Sequence, residues 1–116
     1  MTLEELVDQF ARNVAAQTDA IHRGDARTGN KHAKKYIAAL QQLREHGDAG
    51  REALAVLLTH PRTDLRTMAA GFLLRYRTEA AKAVLEKAAK EGGIGGLGAI
   101  MTLRHWENGT WTLDPE

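Results

Sequence analysis

The chain has no cysteine among its 116 residues, which removes disulfides, thiolate metal sites and cysteine nucleophiles together. Serine is absent too. Only threonine and carboxylates remain as common nucleophiles, and neither stands in a recognisable catalytic setting. Aromatic residues are few, two each of Phe, Tyr and Trp, and there are two prolines. The core must therefore be aliphatic, and the abundance of Ala and Leu favours closely packed helices. An excess of one charge is also missing. The 16 Lys and Arg residues meet 15 Asp and Glu for a net +1, which gives no general reason to expect nucleic acid or a membrane as partner. No stretch approaches the roughly 20 apolar residues of a membrane span. The start, Met1-Thr-Leu-Glu-Glu, is acidic and amphipathic, without the basic-then-apolar order of a secretory signal. The expected location is the cytoplasm.

What is present reads as one soluble domain over residues 1–116, with 43% hydrophobic and 27% charged residues, near the averages for globular proteins. Thr2 and Glu5 have capping-box spacing, and Leu3, Leu6, Val7, Phe10, Val14 and Ile21 follow at helical intervals. Gly24 ends this first helix. Asp25 caps a second, whose stripe is Ala33, Tyr36, Ile37, Leu40 and Leu43 before Gly47. Asp48 is the expected cap of a third helix carrying Leu54, Leu57 and Leu58, and His60-Pro61 then breaks the chain. Pro61 fits the first turn of a fourth helix, with Leu65, Met68, Ala69, Phe72, Leu73 and Tyr76 on one face. Thr78 caps a fifth, with Ala81, Val84, Leu85 and Ala88 inward and Gly92-Gly93 at its end. The sixth runs from about Ile94 through Leu97, Ile100, Met101 and Leu103 and ends near Trp106. No segment alternates with period two for long enough to be a strand. The fold class is all-α, with six helices.

An internal echo organises these helices. Leu65 to Tyr76 sets over Ile94 to His105 at a shift of 29, apolar on apolar, with Leu74-Arg75 on Leu103-Arg104. The helices before them, around Ala55-Val56-Leu57 and Ala83-Val84-Leu85, correspond at a shift of 28. The unit is then a helix hairpin, and about three hairpins form a short α-solenoid, with a generic helical bundle as the alternative.

At His60-Pro61-Arg62-Thr63-Asp64-Leu65-Arg66-Thr67-Met68-Ala69-Ala70 the chain resembles the junction of a HEAT-type repeat, where a proline opens the second helix and an apolar-Arg pair precedes small residues. Over nearly its whole length it is similar to a bacterial family of small uncharacterised HEAT-like proteins. That similarity rests on Met1-Thr-Leu-Glu-Glu-Leu-Val, Gly50-Arg51-Glu52-Ala53-Leu54 with His60-Pro61, and Ala99-Ile-Met101-Thr-Leu103-Arg104. The resemblance implies a fold and no reaction. Related small helical-repeat proteins look like immunity partners encoded beside bacterial toxins, which is a fold-level analogy.

Site chemistry is sparse. No two of the five histidines stand three to five residues apart on one helix, so no metal is expected. His22, His46, His60 and His105 fall at helix ends, where a ring meets unpaired carbonyls. Gly93-Ile-Gly95-Gly96-Leu-Gly98 spells G-x-G-x-x-G. The fingerprint needs a preceding strand, whereas here a charged helix ending in Lys90-Glu91 precedes it, so no cofactor is expected. The bland account is close helix packing. An alternative is that exposed amides at this helix start bind an anionic group on a partner.

The basic residues are the best candidate for a working surface. Residues 23–77 hold eleven basic against five acidic side chains, whereas 1–22 sum to −3 and 78–116 to −2. Lys31, Lys34 and Lys35 share one side of the second helix, and Arg62 and Arg66 one side of the fourth. If second helices line a concave face, these five converge with Arg75, Arg77 and Arg104 on an acidic partner. The bland reading is an ordinary solvated face. Asn108-Gly109, between Trp106 and Trp111, is a tight-turn pair that would fold Trp111 and Leu113 back as a cap. The competing role for the two tryptophans is a binding anchor.

The sequence thus predicts a non-enzymatic protein-binding module, a monomer or weak dimer that needs no cofactor or membrane. Its sharpest form is an immunity protein that occludes a toxin through the basic surface. Nucleic-acid binding is the competing function, and an enzyme whose site the sequence does not display is the third.

Overall fold

Thr2 starts the first helix as its sequence requires. The Glu5 amide donates to Thr2 Oγ1 and the Thr2 amide to Glu5 Oε1, both at 3.1 Å, so two of the orphan amides at the helix start are satisfied reciprocally. The computed structural model describes residues 1–110, the side chains of Ile94 and Gly95 excepted. These form α1 (Leu3–His22), α2 (Ala26–Glu45), α3 (Asp48–Ala55), a short 3-10 turn (Val56–Thr59), α4 (Thr63–Leu73), α5 (Thr78–Glu91) and α6 (Gly93–Glu107). No strand occurs among the described residues, and no helix there is long and apolar enough to cross a membrane. Over the described residues the fold is all-α with six α-helices. The chain divides into two compact units, Met1–Leu54 and a second from Ala55 onward.

The first unit is an α1–α2 hairpin with α3 following it. Leu6, Phe10 and Val14 on α1 and Tyr36, Ala39, Leu40 and Leu43 on α2 are buried, and α1 packs along α2. Phe10 meets Tyr36 edge to face, ring centroids 5.8 Å apart, a geometry the aromatic quadrupoles favour. Gly24 has positive φ, and Asp25 caps α2 by accepting from the Thr28 amide at 3.1 Å and the Thr28 hydroxyl at 2.7 Å. The cap overrides the poor helix sequence Thr28-Gly29-Asn30, and α2 runs unbroken from Ala26. Ile21 and Ile37, expected inward, are exposed. Each sits at the margin of its stripe.

A polar contact inside this hairpin was not anticipated. Asn13, the one buried polar residue of α1, donates from Nδ2 to the Gln9 carbonyl at 2.7 Å. Its Oδ1 lies 2.9 Å from His32 Nδ1. An amide oxygen only accepts, so His32 carries its proton on Nδ1. The α3 helix then seats against the end of α2 through Gly50. A Cβ on that residue would stand 1.8 Å from the Leu43 carbonyl oxygen, so only glycine permits this approach. Asp48 is the first residue of α3 and pairs with Arg51, where the sequence suggested a cap.

In the second unit, Leu57 and Leu58 lie in the 3-10 turn instead of continuing α3. Pro61 precedes α4 rather than occupying its first turn: Arg62 holds the cap position and the helix begins at Thr63. The proline forces His60 into extended backbone, φ −66° and ψ 145°, and the Arg62 amide donates to His60 Nδ1 at 3.0 Å. Thr78 likewise begins α5 instead of capping it, its hydroxyl donating to the Leu74 carbonyl at 2.7 Å.

Leu65, Ala69, Ala70, Phe72 and Leu73 of α4 are buried with Ala81, Leu85 and Ala88 of α5. The α4 helix touches both α5 and α6, and α5 touches α6. Among the described side chains of α6 the buried positions are Gly96 and Ala99, whereas Leu97, Ile100 and Met101 are exposed. Small residues bring α6 close to α5: a Cβ at Gly96 would lie 3.0 Å from the Ala88 carbonyl oxygen. Those small residues decide which side of α6 packs. The side chain of Ile94 is not described, and Trp111, Leu113 and the expected tail cap lie outside the described residues.

Candidate partner-binding surfaces

Lys31, Lys34 and Lys35 extend from the exposed side of α2 together with Arg27 and Arg44. Burial of Tyr36, Ala39, Leu40 and Leu43 fixes the helix azimuth, and the i, i+3, i+4 spacing then brings the three lysines into one cluster. The acid on α2 is Glu45, at its last position. Among the described residues no ion pair or side-chain hydrogen bond engages Arg27, Lys31, Lys34, Lys35 or Arg44. Four arginines elsewhere are paired: Arg12 with Asp8 at 2.6 Å, Arg51 with Asp48, Arg62 with Asp64 and Arg66 with Glu91.

Arg62 and Arg66 do stand together, but within the fabric of the fold. Arg62 grips Asp64 with two parallel bonds, Nε to Oδ1 at 3.0 Å and Nη2 to Oδ2 at 3.1 Å, a strong and geometrically specific arrangement. Arg66, its side chain only 17% exposed, donates from Nη1 to the carbonyls of His60 at 2.7 Å and Pro61 at 2.9 Å. Its Nη2 donates to Thr63 Oγ1 at 2.9 Å and Glu91 Oε1 at 3.1 Å. This guanidinium closes the loop before α4 and ties it to the end of α5. Arg75 and Arg77 lie in the α4–α5 turn, each engaged in an intramolecular interaction. Arg104 is exposed in the last turn of α6.

Perturbed ionisable groups mark structure instead of chemistry. Hydrogen bonds from Thr2 hold the Glu5 carboxyl below its ordinary value, and bonds from Thr28 do the same for Asp25. Burial pushes the Tyr36 phenol up, against a smaller opposing effect of its hydrogen bond with Gln17. Among the described residues no three His, Asp or Glu side chains converge as metal ligands would. Gly95, Gly96 and Gly98 lie within α6, not in a turn between strand and helix, so the dinucleotide fingerprint geometry is missing.

A family model described as a domain of unknown function, DUF2019, matches residues 4–106. The chain belongs to the DUF2019 family. Among solved structures this DUF2019 chain is similar to the crystal structure of the protein RPA1889 from Rhodopseudomonas palustris CGA009. The two share 25% identity at a TM-score of 0.90, over 100% of this chain and 95% of that one. No curated protein matches. The matched span reaches from α1 to Trp106 in α6, and the eight basic residues that the sequence singles out, from Lys31 to Arg104, all lie within it.

Proposed function

We propose that this DUF2019 protein is a non-enzymatic, cytoplasmic binding module of the HEAT-like type whose partner is a protein with an acidic surface. The observation that carries this reading is the unneutralised face of α2, with Lys31, Lys34 and Lys35 clustered on one exposed side. A helix that leaves such a cluster without acids at i±4 forgoes the modest stabilisation that alternating charge would give. Unpaired cations of this kind steer an acidic partner and fix its register. The HEAT-like character is supported by the 28–29-residue echo and by contact between α4 and α6, the two helices that the echo sets over one another.

In its sharpest form the protein is an immunity partner of a toxin, acting by occlusion. The lysines accelerate encounter with an acidic active or substrate-binding face, and apolar contacts around them set the residence time. The test is capture of partners from the protein's own host with the wild-type chain and with a Lys31→Glu, Lys34→Glu, Lys35→Glu variant. An Arg12→Glu variant serves as control. A protein retained by the wild type and the control and lost by the triple variant supports the reading. Retention by the triple variant, or capture of nucleic acid with affinity falling steeply in salt, overturns it.

A further inference from the structure

The α6 helix is apolar on nearly every side, with one acid, Glu107, at its last position. A helix of that composition is normally enclosed. Here α4 and α5 cover the side bearing Gly96 and Ala99, while Leu97 is 65%, Ile100 39% and Met101 46% exposed. These three and the exposed Arg104 occupy positions i, i+3, i+4 and i+7. Four residues so spaced outline the hole into which one side chain of a facing helix inserts when helices interlock. Three corners of this hole are apolar and contiguous, which distinguishes it from the scattered surface hydrophobes of any soluble protein. The fourth corner is a cation with no partner among the described residues.

We propose that the Leu97, Ile100, Met101 and Arg104 face of α6 is a docking site for an amphipathic helix of another protein, one bearing an apolar seam with a carboxylate beside it. An apolar side chain of that helix fills the hole, and the carboxylate pairs with Arg104. Charge complementarity selects this occupant over a second copy of the chain. Two-fold pairing of α6 with itself sets Arg104 against either its own equivalent or the apolar corner at Leu97, whereas an acid three or four residues from the inserted side chain reaches it directly. The inference stands on α6 and does not rest on the α2 lysines.

The experiment uses the full chain and two fluorescein-labelled synthetic peptides of one composition. The first has leucines at a and d positions with glutamates beside them; the second has its leucines scattered. Fluorescence anisotropy is expected to show the seam peptide binding at least about tenfold more tightly than the scattered one. Met101→Glu, and separately Leu97→Glu, should each weaken it by about tenfold or more, as loss of a central anchor does. Both positions are exposed, and circular dichroism checks that the helices persist. The triple lysine variant described above should leave seam-peptide binding unchanged within about twofold, since only the α2 reading depends on those side chains. Equal binding of the two peptides, no binding, or indifference to both α6 substitutions overturns the proposal while leaving the α2 reading standing. Sedimentation of the free chain as a dimer that Met101→Glu dissociates overturns it in favour of a second copy. A peptide affinity that rises about tenfold on deletion of residues 111–116 overturns it in favour of the chain's own segment as occupant.

Discussion

Gly50→Ala is the most discriminating substitution the structure offers. The added methyl would lie 1.8 Å from the Leu43 carbonyl oxygen, 2.7 Å from its carbon and 3.2 Å from the Leu43 Cα. All three are backbone atoms, so no rotamer change relieves the contact. Carbon and oxygen meet without repulsion at about 3.3 Å, and restoring that distance moves α3 away from the last turns of α2 by more than an ångström. Leu54, buried on α3, moves with it. Overpacking of a tight contact costs about 1–3 kcal/mol, and a clash of backbone on Cβ belongs at the top of that range or beyond. The better helix propensity of alanine returns at most about 1 kcal/mol. A net loss of about 2 kcal/mol or more is expected, a large fraction of the stability of a small domain.

Gly29→Ala provides the internal control. Its methyl would rest 3.8 Å from Ala20 Cβ and from Gln17 Cγ, ordinary van der Waals contact, so α2 should gain about 0.5–1 kcal/mol. Urea unfolding followed by circular dichroism at constant m-value reads both changes as midpoint shifts of opposite sign. A Gly50→Ala protein within about 0.5 kcal/mol of wild type would refute the seating of α3 on α2.

Three further outcomes follow from the hydrogen bonds. Thr2→Val removes the capping box and should cost about 1 kcal/mol, and carboxyl NMR titration should show Glu5 returning toward its ordinary value. Because Glu5 and Asp25 are both held low when folded, their contribution is complete above the unfolded values near pH 4 and is lost as pH falls through the folded ones. Melting temperature should therefore decline on acidification below about pH 5, less steeply in Thr2→Val. Arg66→Ala should cost about 2 kcal/mol, since its bonds to His60 and Thr63 are partly buried while those to Pro61 and Glu91 are exposed to solvent, and faster hydrogen exchange at the Arg62 and Arg66 amides checks the loop assignment. Asn13→Ala leaves His32 Nδ1 without its acceptor and should cost about 1–2 kcal/mol, seen in the same urea assay; an unchanged midpoint would mean that water replaces the amide.

Signals carried by neighbours in sequence were legible beforehand, and signals carried by neighbours in space were not. Thr2 with Glu5 and Asp25 with Thr28 declare themselves within three residues, and the structure has both caps. Lys31, Lys34 and Lys35 group by helical spacing alone. The task of Arg66 depends on how the loop after Pro61 turns back and on where α5 ends, 25 residues away, so its pattern with Arg62 reads equally well as a free basic face. Gly50 showed no sign of being irreplaceable, because its neighbour is a carbonyl seven residues back across a turn. The packed side of α6 is hidden in the sequence for a similar reason. The echo set Phe72, which is buried, over Met101, which is exposed, as though equal sequence implied equal surroundings. But α4 is flanked by α5 and α6, while among the described residues the second unit offers α6 contacts on one side only. An all-round apolar helix has no stripe to announce its azimuth. Closest approach decides it, and the side with Gly96 and Ala99 approaches α5 more closely than Leu97, Ile100 and Met101 would allow. The large apolar side chains are thereby turned outward, and the surface most suited to a partner on this helix arises from the small residues opposite it.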